Sequence, residues 1–157
     1  MIGSVIFFAL ILGLLVFFLW VLSEYSEPKQ EYGVKSVTAR GEEVRSLAER
    51  EIADYFARNN IKYIYEQGTM ARSFLRYKVV SPDFYLPEYD VYVEYWGLVD
   101  ADDSWTRERY IKSMKRKMAI YYENNMKFIS IYPDNLKNLD WIFRRKFKKV
   151  TGFELPS

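Results

Sequence analysis

The sequence predicts an α/β domain that follows an N-terminal transmembrane helix. Residues 2–22 carry no charged side chain. Residues 41–157 alternate between helical hydrophobic spacing and short β-branched or aromatic runs, in the order α-β-β-β-α-β-α. The total of 157 residues leaves room for one folded domain.

The first predicted element is the apolar segment 2–22, which as a helix would span roughly 31 Å, about the thickness of a hydrocarbon core. A cleaved signal peptide is the alternative, but no Lys or Arg precedes the run and Trp20 suits a membrane interface. We therefore expect a retained anchor at residues 1–23 that contacts the lipid bilayer. The nearest basic residues all follow it: Lys29, Lys35 and Arg40. This asymmetry predicts a single-pass membrane protein with a cytoplasmic C-terminal domain.

A tether is predicted at residues 24–40, where Pro28, Gly33 and mixed charge replace any apolar periodicity. The folded domain then occupies residues 41–157. Its first helix, residues 41–59, has an apolar face at helical spacing: Val44, Leu47, Ala48, Ile52, Tyr55 and Phe56.

Three strands should follow as a meander. Residues 61–66 form the first, residues 67–73 a loop, and residues 74–80 the second strand, which continues through Pro82 to about Tyr85. A turn at residues 87–90 leads into the third strand, residues 91–96.

The last elements are two helices and a strand. A long helix at residues 106–124 crosses over to a fourth strand at residues 127–132. A final helix, capped by Asp134 or Asn135, runs to about Val150.

The composition excludes several kinds of chemistry. The chain has no cysteine and no histidine, so disulfides, Cys/His zinc sites, thiol nucleophiles and imidazole bases are ruled out. Acid–base and metal chemistry must come from the remaining polar side chains. Charge is unevenly distributed: residues 42–105 carry thirteen acidic and seven basic side chains, whereas residues 106–149 carry four acidic and thirteen basic ones. This division predicts carboxylate chemistry in one half and polyanion binding in the other.

Two carboxylates should meet on the hairpin between the second and third strands. With the turn centred between Glu88 and Tyr89, the numbers of opposed residues sum to 177, which pairs Asp83 with Glu94 at a Cβ separation of roughly 5 Å. Such a pair is tolerated when a divalent cation lies between the carboxylates, and oxygen ligands favour Mg²⁺ or Mn²⁺. The alternative is that Asp83 supports the turn and Glu94 faces solvent.

A third acid could come from the first helix. Glu51 falls within the apolar arc of the helical wheel and Glu49 at its edge, although both could be solvated. Basic side chains follow on the later helices: Lys112, Lys115, Arg116 and Lys117, then Arg144, Arg145, Lys146, Lys148 and Lys149. These could bind nucleic-acid phosphates or, on the last helix, anionic lipid.

Four pieces of the chain resemble the PD-(D/E)xK, or restriction-endonuclease-like, nuclease superfamily, in particular nuclease-like domains associated with DNA helicases. They are SLAEREIADYF with IKYIYE, SPDFYLPEYDVYVEYWG, the Tyr- and Lys-rich helix, and FISIYP, which together cover about residues 46–132. The predicted α-β-β-β-α-β order agrees with the core of that superfamily, and the C-terminal helix is an addition to it.

The resemblance implies roles for single residues. Asp83 and Glu94 match the metal-binding acids, the carbonyl of Tyr95 a further ligand, and Glu49 the first-helix glutamate. The superfamily's lysine, two residues after the glutamate, is Trp96 here. Some members supply it from the following helix, where Lys117 is the best match and Lys115 the second.

These observations predict a membrane-anchored, Mg²⁺- or Mn²⁺-dependent deoxyribonuclease. Asp83, Glu94, Lys117 and Glu49 are its expected catalytic residues. The expected nucleic-acid contacts are Lys112, Lys115, Arg116, Arg144, Arg145 and Lys148. A DNA helicase is a possible partner. Two alternatives remain: an inactive nuclease-like module that binds nucleic acid at the membrane, and a membrane adaptor without nucleic acid.

Overall fold

The computed structural model describes residues 11–17, 33–73 and 76–155. The chain divides into two compact units, Met1–Tyr32 and Gly33–Ser157. In the first unit the described part of helix α1, residues 11–17, is helical and exposed.

The predicted transmembrane helix requires correction. No helix in the described part of the chain is long and apolar enough to cross a membrane. This finding contradicts the anchor predicted at residues 1–23, and with it the single-pass membrane localisation and the cytoplasmic placement of the C-terminal domain. Residues 1–10 and 18–23 of that segment lie outside the described residues.

The second unit is a mixed α/β domain. Its elements, in chain order, are β1 (Ser36–Val37), β2 (Glu43–Val44), α2 (Leu47–Arg58), β3 (Ile64–Tyr65), β4 (Thr69–Ser73), β5 (Arg76–Val80), β6 (Phe84–Leu86), β7 (Val91–Tyr95), α3 (Ser104–Glu123), β8 (Phe128–Ile131), α4 (Pro133–Leu136) and α5 (Leu139–Thr151). The predicted fold class is therefore wrong in more than its membrane helix, because extra strands interrupt the expected order.

The main sheet has four strands in the order β3-β6-β7-β8. β3 and β7 both pair antiparallel with β6, whereas β8 pairs parallel with β7. Helix α3 makes the crossover that a parallel neighbour needs.

The stretch predicted as one long second strand is two separate strands. Residues 67–73, predicted as a loop, contain β4, which pairs with β5 in a two-stranded sheet of its own. The chain then passes Pro82, which has no N–H to donate, before β6 joins the main sheet. Asn124, after α3, anchors this hairpin: its side chain accepts from the N–H of Arg72 and donates to the carbonyl of Arg72, both at 2.7 Å.

The ends of the domain also differ from prediction. β1 pairs with β2, so strand structure occurs inside the stretch predicted as a tether. Ser46 caps α2, with its hydroxyl accepting from the Glu49 N–H at 3.1 Å, which places the helix start six residues later than predicted. The final helix is two helices, since α4 is a single turn that begins at Pro133.

Two hydrophobic clusters lie on opposite faces of the main sheet. One face packs against α2 and α5 through rings such as Phe56, Phe84 and Phe143, each fully buried. On the other face Tyr121 of α3 packs against Tyr92 and Phe128, with ring centroids 5.9 and 4.9 Å away. Because side chains alternate along β7, Glu94 belongs to this second face, beneath α3.

Candidate active site

The hairpin that carries the two carboxylates has the predicted register. β6 and β7 pair as Phe84 with Val93, Tyr85 with Tyr92 and Leu86 with Val91, so the numbers of opposed residues sum to 177. One step further, the same register sets Asp83 opposite Glu94. The carboxylate of Asp83 accepts the backbone N–H of Tyr95 at 2.7 Å. Asp83 is thereby fixed beside the end of β7.

Glu94 is a buried acid with only 1% of its surface exposed. Burial, followed by the negative charge of Asp83, raises its pKa from 4.5 to about 8, against the opposing effect of Lys117 and Tyr121. The alternative that Glu94 faces solvent is excluded by this burial. An acid held in this way takes up a proton or a cation at neutral pH.

Helix α3 supplies the partners of Glu94. The ammonium of Lys117 lies 2.7 Å from Glu94 Oε2 and 2.6 Å from Oε1, and it also donates to the carbonyl of Ser81 at 2.8 Å. One turn later the hydroxyl of Tyr121 donates to Oε1 of the same carboxylate. Burial and the charge of Glu94 raise the pKa of Tyr121, so its phenol stays a donor.

The resemblance stated from the sequence expects a lysine where this chain has Trp96. Its ring is 4% exposed, and the Lys117 ammonium is 5.8 Å from the ring centroid. The ammonium near Glu94 is therefore supplied by Lys117 of α3 and not by a residue of β7. Lys115, the second match, is exposed on the outer surface of α3.

Glu49 lies near the pair without joining it. Its Oε2 accepts the hydroxyl of Tyr65 at 2.6 Å and the N–H of Arg45 at 3.0 Å. Burial is the main reason that its pKa is raised, and repulsion from Asp83 adds to it. Glu51, which the helical wheel favoured, is exposed. Within the described residues no group of three or more acidic side chains is arranged to hold a metal ion.

The Tyr95 carbonyl, the other predicted metal ligand, lies 3.5 Å from the hydroxyl of Tyr110. Burial, and then the charges of Asp83 and Glu94, raise the pKa of Tyr110. Tyr110 and Tyr121 were not predicted as site residues. Their spacing from Lys117, seven residues before and four after, places them on its helix face and was the available signal.

The predicted nucleic-acid contacts fall into two groups. Lys112, Lys115 and Arg116 are exposed and line a shallow depression of about 480 Å³ along α3. On α5, Arg144 bonds Asp140, Asn59 and the carbonyl of Leu155, so it holds the helix in place. Lys148 pairs with Glu154, and Arg145 lies 5.2 Å from the ring centroid of Trp141.

Comparison with known proteins yields no assignment: no family model, no curated protein and no solved structure matches the chain. The PD-(D/E)xK resemblance therefore stays a prediction.

Proposed function

We propose that the chain is a metal-dependent nuclease that hydrolyses DNA phosphodiester bonds. The observation that carries the proposal is the cluster of Asp83, Glu94 and Lys117, in which the hairpin register sets a half-buried carboxylate opposite a buried one that is paired with an ammonium. Two acids and a lysine suffice for phosphodiester hydrolysis without histidine or cysteine.

The residues present fit a hard divalent cation. Their donors are carboxylate oxygens, with the Tyr95 carbonyl nearby, which is the ligand chemistry of Mg²⁺ and Mn²⁺. The charge of Asp83 raises the pKa of Glu94, and a bound cation would relieve that repulsion. Such an ion would supply Lewis acidity toward a phosphate group.

The chain's own side chains have separable tasks in this proposal. Asp83 is fixed by the Tyr95 N–H, and Glu94 is fixed by Tyr121, so both carboxylates are preorganised. Lys117 is held between Ser81 and Glu94 and can orient a water molecule or stabilise the charge that develops on a phosphate. Glu49 contributes a nearby negative charge.

The first test is cleavage of labelled DNA by the full chain with Mg²⁺, with Mn²⁺ and with chelator. We expect Lys117→Ala to reduce Mg²⁺-dependent cleavage by about 10²-fold or more, the scale of losing one transition-state charge contact. Lys62→Ala is the matched control, because Lys62 is exposed and pairs with Glu88 away from the cluster. Wild-type rates in Lys117→Ala, with Asp83→Ala inactive, would remove Lys117 from the mechanism.

A second candidate function is a nuclease-like module that binds nucleic acid without cleaving it. It is favoured by the contacts of Glu94, since Lys117 and Tyr121 already engage both of its oxygens and a metal ion must displace one of them. DNA binding by a wild-type chain that never cleaves would support this reading. Association with a helicase stays a prediction from the resemblance.

A further inference from the structure

A basic groove runs beside β8, the edge strand of the main sheet. Its volume is about 390 Å³, within the range of small-ligand sites. The side chains that give it its character are Tyr122, Lys127, Phe128, Lys146 and Lys149, and no carboxylate lines it. Lys146 and Lys149 belong to the basic helix predicted to bind phosphates or anionic lipid, whereas Tyr122, Lys127 and Phe128 were not predicted as site residues.

The lysines of this groove are uncompensated by acids. Lys127 and Lys149 are exposed and form no ion pair within the described part of the chain. The ammonium of Lys146 donates to two neutral oxygens, the Ser130 carbonyl and Asn135 Oδ1, both at 2.7 Å. Partial burial lowers the pKa of Lys146. A negatively charged ligand in this groove would therefore meet three lysine side chains and no carboxylate.

Aromatic rings line the same groove. Tyr122 is 66% exposed, and its ring meets that of Phe128 edge-on, with centroids 5.2 Å apart and planes inclined by 69°. An edge contact fixes the Tyr122 ring and leaves ring surface exposed for stacking. Exposed aromatic surface beside uncompensated lysines is the combination by which proteins bind unpaired bases and their phosphates.

We infer that this groove binds single-stranded nucleic acid, with a base stacked on Tyr122 and backbone phosphates at Lys127, Lys146 and Lys149. The inference rests on the proposed function for its substrate class, and it names the strand form of the substrate. An unpaired base is required because the stacking surface of a paired base is covered by its neighbours in a duplex.

The test is binding of fluorescent oligo-dT and of a blunt duplex of equal length to the full chain, without divalent metal so that cleavage is absent. Tyr122→Ala should weaken oligo-dT binding about 5- to 150-fold, the range for losing one stacked base, and leave duplex binding unchanged. Tyr122→Phe should keep the affinity. Trp105→Ala is the matched control, since Trp105 is a similarly exposed ring (65%) on the same helix.

Charge is tested separately. The double variant Lys127→Glu, Lys149→Glu should show a weaker salt dependence of oligo-dT binding. The slope of the log binding constant against log salt concentration should fall in magnitude by about 1.4, at roughly 0.7 for each single-strand phosphate contact. Lys62→Glu with Lys137→Glu changes net charge equally at exposed positions and should leave the slope unchanged.

Each outcome bears on one proposal. Equal losses of oligo-dT affinity in Tyr122→Ala and Trp105→Ala would overturn the groove inference. Equal binding of oligo-dT and poly-glutamate, without dependence on Tyr122, would also overturn it and would indicate an acidic protein segment as the ligand. Neither result would contradict the proposed nuclease, which metal-dependent cleavage by wild type tests separately. Conversely, groove-dependent binding by a chain that never cleaves would sustain the groove and overturn the nuclease.

Discussion

Replacing Glu94 by Gln should change how the stability of the domain depends on pH. The native pKa of Glu94 is about 8 against 4.5 for a free glutamate, so between these values the folded chain holds a proton that the unfolded chain has released. Stability is therefore fully present below pH 4.5 and is lost as the pH rises through about 8. The free energy of unfolding should fall by at most about 1.4 kcal/mol per pH unit, and its total loss should be on the order of a few kcal/mol.

Urea denaturation of the full chain at intervals between pH 5 and 8 measures this dependence. Wild type should lose free energy of unfolding with rising pH, and Glu94→Gln should lose much less. Glu49 also has a pKa raised mainly by burial, so the informative quantity is the difference between the two curves. Glu88→Gln, at an exposed glutamate, controls for removal of one carboxyl. Parallel curves for wild type and Glu94→Gln would refute the argument.

Three further outcomes are expected. Mg²⁺ affinity, measured by calorimetry, should rise up to tenfold per pH unit below about pH 8, because the ion must displace the Glu94 proton; a flat profile would exclude Glu94 as a ligand. Phe143→Ala should lower the free energy of unfolding by about 3–5 kcal/mol, since its ring is fully buried between Phe56 and Tyr55; a loss below 1 kcal/mol in urea denaturation would contradict this packing. Deleting residues 1–23 should leave the circular dichroism of the domain intact, because the described members of both hydrophobic clusters lie between Ile52 and Leu155; loss of that signal would show dependence on the deleted segment.

Hydrophobic periodicity and the predicted hairpin register, in which the numbers of opposed residues sum to 177, were enough to predict that Asp83 lies opposite Glu94. The turn before β7 sets the register, and register alone places Asp83 opposite Glu94. The position of Lys117 could also be anticipated, because a helix face is defined by spacing. These are local properties that need no knowledge of tertiary packing.

Other features depend on contacts between segments distant in sequence. Strand β4 lies in a stretch that was predicted as a loop, and its pairing with β5 is supported from 52 residues away by Asn124. The engagement of Glu94 by Tyr121 likewise follows from how α3 crosses the sheet. The apolar segment at residues 2–22 satisfied the length rule for a membrane span, yet no helix in the described part of the chain is long and apolar enough to cross a membrane.

The Lys117 contact with Ser81 and Glu94 joins α3 to the loop before β6 and to β7. A partly folded chain in which the hairpin has formed but α3 has not docked would hold both carboxylates and lack the ammonium. Competence for chemistry would then arise in a single late step of tertiary assembly, after the strands have paired. If the chain is the nuclease proposed above, cleavage should return later on refolding than secondary structure does, and its rate of return would report on the docking of α3.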